Sequence, residues 1–245
     1  MGAIDCMRTS IILVDDFYSN PFLVREYAIR QHYYFPYDVT SDVVEGKKDF
    51  HWKTSWFKNA SECPFKSSQE LIERLENLTG DKIDRDHWNT DFPIAEDGKG
   101  IPGNIFPNQY SCLWNCSFHL KNQFHQELGN GVHNHVTDNW NSVGIDGWAG
   151  IIYLNPRAPI YTGLNLWRNI DTRKNFDWMS SKENWIHVDM LGSIFNRLIL
   201  CRGDIPHSGV DGWGSDIETG RLFQTFFFKV VPKKNDNNLS IKMNL

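Results

Sequence analysis

The sequence predicts a mainly β domain, a sandwich or barrel, carrying a helical layer at its N-terminal side. Two observations point there. From about residue 109 onward, short apolar or alternating runs are separated by turn residues without regular helices between them. The two clear helical patterns both lie before that point. The chain has 245 residues, 14% of them aromatic and 10 of them Trp, which is enough to build one sizeable core. The expected organisation is a single domain over 1–231. Residues 1–108 form a helical and loop elaboration, 109–231 the β core, and 232–245 a polar tail.

Taken in order, "IILV" at 11–14 is a short buried strand. Asn20 and Pro21 open a helix as cap and first helical residue. A second helix starts at "SSQELIERLENLTG", where Ser67 and Glu70 form a capping box and Gly80 ends it. Leu71, Leu75 and Leu78 line its apolar face. Residues 35–59 between the helices read as irregular, and the breakers in "FPIAEDGKGIPGNIFP" make 90–108 a long loop. A strand follows at 109–120, with Tyr110, Cys112, Trp114, Cys116 and Phe118 on one face. The runs "VHNHV", "GWAGIIYLN", "TGLNLWRN", "SIFNRLILC" and "RLFQTFFFKVV" complete the β pattern.

The net charge of −5 provides no basic footprint for nucleic acid. Five scattered cysteines read as reduced thiols of a cytoplasmic protein, with Cys112 and Cys116 packed as small apolar groups rather than zinc ligands. The N-terminus has acids on both sides of a short apolar run, unlike a signal peptide, and no stretch is long enough to span a membrane. The expected location is therefore cytoplasmic. Nothing in the sequence bears on oligomeric state.

Function is carried by "VHNHVTD" at 132–138. On a strand, His133 and His135 share a face, so two imidazoles can converge on one ion, with Asp138 just beyond. Further along, a strand ends in a Gly-Asp turn, His207 follows, and Arg221 opens the next strand fourteen residues later. Two histidines and a carboxylate hold iron on one face in 2-oxoglutarate-dependent oxygenases. In those enzymes a guanidinium suits the far carboxylate of the keto-acid.

The segments "IILVDDFYSNPFLVREYAIRQ", "GWAGIIYLNPRAPIYTGLNLWRN" and "FNRLILCRGDIPHSGVDGWGSDIETGRLFQTFFF" resemble an uncharacterised branch of the Fe(II)/2-oxoglutarate oxygenase family, prolyl-hydroxylase-like, over most of 11–230. The resemblance implies a double-stranded β-helix, a jelly-roll or cupin-like barrel. It also implies His207 as distal metal ligand, Arg221 as anchor of the cosubstrate, and Fe(II), 2-oxoglutarate and O2 as the reacting set. The product side would be succinate, CO2 and a hydroxylated substrate, either a small molecule or a protein side chain. The usual proximal motif is His-any-Asp, from which "VHNHVTD" departs. Two ligand sets follow. One is His135, Asp138 and His207, with the strand bulged so that Asp138 turns inward. The other is His133, His135 and His207, with Asp138 supporting an imidazole. The first is preferred because a carboxylate lowers the charge of a ferrous site.

Tyr153 is a candidate donor to the cosubstrate carboxylate, with a plain core tyrosine as the alternative. Trp148, Asn165 and Arg168 are candidates for the substrate mouth, with packing or surface charge as their ordinary roles. His187 and Asp189 match His-any-Asp, but only 20 positions separate His187 from His207, too few for the intervening strands of a barrel. Two other functions share the same residues: a jelly-roll binding module with a vestigial or structural metal site, and a three-histidine zinc enzyme.

Overall fold

The computed structural model describes residues 8–31, 33, 52–54, 63–89, 114–122, 131–136, 142–171, 173, 182–210 and 212–232. Among these residues, nine strands and three α-helices run in the order β1 (Ile11–Val14), α1 (Pro21–Ile29), β2 (Trp52–Thr54), α2 (Gln69–Thr79), α3 (Arg85–Trp88), β3 (Phe118–Lys121) and β4 (Trp148–Tyr153). β5 (Leu164–Asn169), β6 (Trp185–Leu191), β7 (Leu198–Arg202), β8 (His207–Gly209) and β9 (Arg221–Phe228) follow. A larger antiparallel sheet has the order β1-β7-β4-β9-β3-β2 and a smaller one the order β6-β5-β8.

The pairings describe one antiparallel ribbon folded at β5 and β6. Outward from that hairpin, β5 pairs with β6, β4 with β7, His133 with His207 at the start of β8, and β3 with β9. Winding closes the ribbon through two further contacts, β4 with β9 and β5 with β8. Successive rungs of the ribbon therefore alternate between the sheets, and the fold is a double-stranded β-helix.

β9 is buried on both of its faces. Arg221, Phe223, Thr225 and Phe227 alternate with Leu222, Gln224, Phe226 and Phe228, and all eight are buried. Phe223 packs inside the barrel with Ile151, Tyr153, Leu164 and Leu166. Phe226 and Phe228 pack on the other face against Leu71, Ile72 and Leu75 of α2. A strand covered on both sides cannot show polar alternation.

α1 is capped by Asn20, whose side chain accepts from the Leu23 amide, with Pro21 at its first position as expected. α2 starts one residue later than predicted. Ser68, not Ser67, caps it by accepting from the Leu71 amide at 3.2 Å, while Ser67 donates to the Cys63 carbonyl. The strand expected over 109–120 is shorter among the described residues. Trp114–Cys116 form a turn, Cys116 has φ 64°, and Cys116 and Ser117 both bond to Thr225, a bulge that delays β3 to Phe118. The stretch read as irregular contains β2, paired with β3. Cys112, the 90–108 loop and the tail beyond 232 lie outside the described residues. Cys63, Cys116 and Cys201 are buried free thiols. No described helix is long and apolar enough to cross a membrane.

The helical layer is bolted to the barrel by a buried ion pair. Asp81, just after α2, meets the Arg202 guanidinium at 2.8 Å and accepts from the Trp148 indole at 3.1 Å. The guanidinium also lies over the Trp148 ring, 3.9 Å from its centroid. Removing one partner of such a pair leaves a buried charge uncompensated. Asp81→Ala is therefore expected to lower the unfolding free energy by about 3 kcal/mol, read as a lower urea midpoint with an unchanged m-value.

Candidate metal centre

His133 and His207 are opposite one another across the ribbon and exchange both main-chain hydrogen bonds, at 3.0 and 2.9 Å. Residues facing each other this way project their side chains to the same side. That side is the barrel interior, because His207 pairs with Leu166 and Gly209 with Leu164, both members of the interior cluster. The two imidazole centroids are 4.7 Å apart. His135 arrives by a different route. Its amide donates to the Gly203 carbonyl at 2.6 Å and its own carbonyl accepts from the Val143 amide at 2.8 Å. Its ring sits edge-on to Phe227, 5.1 Å from the His207 ring. Gly203 has no alternative at this crossing, since a Cβ there would come within 2.0 Å of the Gly144 carbonyl oxygen.

The ligating nitrogens of His133, His135 and His207 all lie within 4.8 Å of one another. Main-chain carbonyls settle two of the tautomers. His133 Nδ1 is 2.8 Å from the Gly131 oxygen, and His207 Nδ1 is 2.8 Å from the Ile205 oxygen. A carbonyl only accepts, so each Nδ1 carries the proton and each neutral ring leaves its Nε2 lone pair for an ion. His135 Nε2 and His207 Nε2 are 3.3 Å apart. That separation is short enough for both nitrogens to bind one ion at metal–nitrogen bonds of about 2.1 Å. Burial holds His133 below the ordinary imidazole range and, with His133 beside it, pushes His207 down to about 3. Neutral, oriented and convergent imidazoles fit a borderline divalent metal.

The Arg221 guanidinium is buried at the start of β9, donating to the carbonyls of Val210 at 3.0 Å and Gly163 at 3.2 Å. A Cβ at Gly209 would stand 3.1 Å from its Nη1. Gly209 is two residues past His207 on the same inward face, so the guanidinium lies about 7 Å along the strand from the imidazole position. Tyr153 is 1% exposed and faces the same interior, its ring 5.8 Å from the guanidinium carbon. Its hydroxyl has no hydrogen bond of standard geometry among the described residues, yet Arg221 is close enough to oppose the rise in its pKa that burial causes.

The other predicted residues divide. Asp138 lies outside the described residues. Trp148 does not line the mouth: it points away from the barrel into the core shared with the helices, fully buried. Asn165 is also displaced, because it lies opposite Ser208, between the inward His207 and Gly209, and so faces outward, bonded to His187 Nε2 at 3.1 Å. Arg168 is exposed near the end of β5, opposite Ile186. His187 and Asp189 are exposed on β6, and the His187 ring packs against Trp167, apart from the cluster.

Sequence reading missed three inward residues near Arg221. Gly209 keeps the wall open, and Lys121 pairs directly with Arg221 across β3 and β9. His119 stacks on Phe223 at 5.0 Å and bonds through Nε2 to Thr225 Oγ1 at 2.9 Å. That hydroxyl donates to the Trp114 carbonyl, so His119 Nε2 carries the proton. The alternation of β3 could have shown the shared face of His119 and Lys121, but not their partners on β9.

No family model matches the sequence, and no curated protein matches it. In three dimensions the chain is similar to HygX from Streptomyces hygroscopicus, solved with nickel and 2-oxoglutarate bound. The TM-score is 0.49 at 10% identity, covering 90% of this chain and 83% of that one. It is also similar to a Pseudomonas putida prolyl-4-hydroxylase, with TM-score 0.44 at 14% identity over 90% of this chain and 92% of that one. A third likeness is to a Trichoplax adhaerens prolyl hydroxylase in complex with a hypoxia inducible factor peptide fragment. There the TM-score is 0.42 at 14% identity, over 90% and 83% of the two chains. These are likenesses of shape at low identity; the double-stranded β-helix is defined by this chain's own strand order.

The buried imidazoles also set an acid limit on stability. Burial, with Arg221 adding to it, pushes His119 down to about 3, as it does His207. Unfolded, these rings take up a proton below about pH 6.5. The unfolded state therefore binds more protons between about pH 6.5 and 3, and stability falls as the pH drops through that window. At pH 5 each such histidine removes about 2 kcal/mol. His119→Gln is expected to flatten the decline by about that amount in urea unfolding at pH 7, 6 and 5.

Proposed function

We propose that the protein is a non-haem Fe(II), 2-oxoglutarate-dependent oxygenase, acting as a hydroxylase, with His133, His135 and His207 holding the metal. The reading is carried by one observation: three imidazoles converge inside a double-stranded β-helix, with the buried Arg221 guanidinium of β9 beside Gly209, the next inward position after His207 on β8. This reading adopts the all-histidine alternative, supported by the proximity of His133 to His135 and His207; Asp138, the preferred expectation, lies outside the described residues.

Three neutral ligands leave the full charge of a divalent ion in place, and Arg221 adds another positive charge. Such a pocket calls for an anionic partner, and a five-carbon keto-dicarboxylate can meet the metal with one end and Arg221 with the other. With O2, that pair supplies an oxidant strong enough for unactivated C–H bonds, at the expense of decarboxylating the keto-acid to succinate. The chain's own contribution is positional. The Gly131 and Ile205 carbonyls lock two imidazole planes, Gly163 and Val210 aim the guanidinium, and Tyr153 offers a hydroxyl beside it. Ile151, Leu164, Leu166 and Phe223 keep the interior dry.

The all-imidazole donor set also supports a second reading, a zinc enzyme. Anaerobic addition of 2-oxoglutarate to the ferrous protein separates the two. The oxygenase develops a weak visible charge-transfer band and, on admitting air, forms succinate. A zinc enzyme, or a binding module, does neither. Metal affinity, measured by competition with a chromophoric chelator, tests the ligand set. His135→Ala and His207→Ala are expected to lose more than the roughly 10–100-fold that removing a supporting group costs. Asp138→Ala should stay within that range; a loss as large as that of His207→Ala would restore Asp138 as a ligand.

A further inference from the structure

Two of the buried thiols stand side by side where the helical layer meets the barrel. Cys63 opens the turn that leads into α2, and Cys116 lies in the bulge that precedes β3. Both are fully buried in the core that these elements share. Contacts on either flank fix their approach. On one flank Phe65 meets Phe118 edge to face, with ring centroids 5.4 Å apart. On the other, the Lys66 carbonyl accepts from the Trp88 indole at 2.9 Å, and the Trp88 carbonyl accepts from the Asn115 side-chain amide at 3.3 Å. Between the flanks the Cys63 and Cys116 thiols share a hydrogen bond, and the Lys66 amide donates to the Cys63 sulfur at 3.4 Å. Burial raises the Cys63 pKa, but the Cys116 thiol and the Phe65 and Lys66 amides more than offset it and hold it below the ordinary thiol value. Cys201 is the contrast, since burial pushes its thiol up to about 12.

We propose that Cys63 and Cys116 are an oxidisable dithiol, a modification site at which a peroxide closes a disulfide between the helical layer and the barrel. The inference is independent of the metal reading. Cys63, as thiolate, attacks one peroxide oxygen; the O–O bond breaks, and the departing hydroxide takes up the proton that Cys63 gave up, leaving as water. The sulfenic acid so formed on Cys63 is attacked by the Cys116 sulfur, the S–O bond breaks, and the Cys116 proton leaves in a second water. Two thiols lose two electrons and the peroxide gains them. Peroxide is little larger than water and enters through local opening of the turn. Residues 63 and 116 are 53 positions apart, so the bond closes a long loop and constrains the unfolded chain strongly.

The test is to treat the reduced, zinc-loaded full chain, in which peroxide meets no redox-active metal, with hydrogen peroxide. Thiol titration in denaturant is expected to fall from five groups to three. Non-reducing peptide mapping should find one linked pair holding Cys63 and Cys116, with Cys201 still a thiol. The thermal midpoint should rise by about 5–10 °C and return on adding dithiothreitol. Cys116→Ser is expected to abolish that rise and leave Cys63 as a sulfenic acid that dimedone captures. The wild-type map decides even if this variant does not fold. Five thiols remaining, a bond from Cys63 to any other cysteine, or oxidation of Cys201 alongside the pair would each overturn the proposal. So would a linked pair whose thermal midpoint is no higher than that of the reduced protein, because the bond would then form only in opened chains.

Discussion

The structure turns on the pair of main-chain hydrogen bonds between His133 and His207. This bridge is one rung of the wound ribbon, and its register decides which side chains meet. A shift by a single residue would send one imidazole to the outside of the barrel, since side chains alternate with period two. The rungs on either side hold the register. β3 and β9 pair over four residues, β4 and β7 over five, and their apolar faces would be exposed by a slip.

The centre is supported from the helical side as well. Asp81 ends the α2 segment and binds Arg202, the residue before Gly203. Gly203 in turn accepts the His135 amide. A chain of contacts thus runs from the helical layer to the one imidazole that the ribbon does not position. Trp148 belongs to this support, sandwiched between the guanidinium and the apolar core. Its burial reflects a structural task, where an aromatic beside a barrel strand invited a reading as part of the mouth.

Electrostatics gives the pocket its character. Burial holds His133 and His207 below the ordinary imidazole range, while Arg221 is buried as a cation against main-chain carbonyls. The apolar lining around these groups strengthens every electrostatic interaction within it. The same burial explains the acid sensitivity, because the rings that must stay neutral in the fold become charged when it opens.

Much of this was legible in the residues. Apolar runs located β4, β7 and β9, Asn20 and Pro21 marked α1, and the spacing of His133, His135, His207 and Arg221 marked the site, because period-two alternation and capping are local properties of the chain. Other features depended on partners distant in sequence. The turn at 114–116 exists because Cys116 and Ser117 share Thr225 as a partner, and Asn165 faces outward because its register with Ser208 says so. His133 meets His207 for the same reason. Residue types determined that a metal and an anion could be bound here; only the winding of the ribbon, through cross-strand register, decided which imidazoles and which cations stand together.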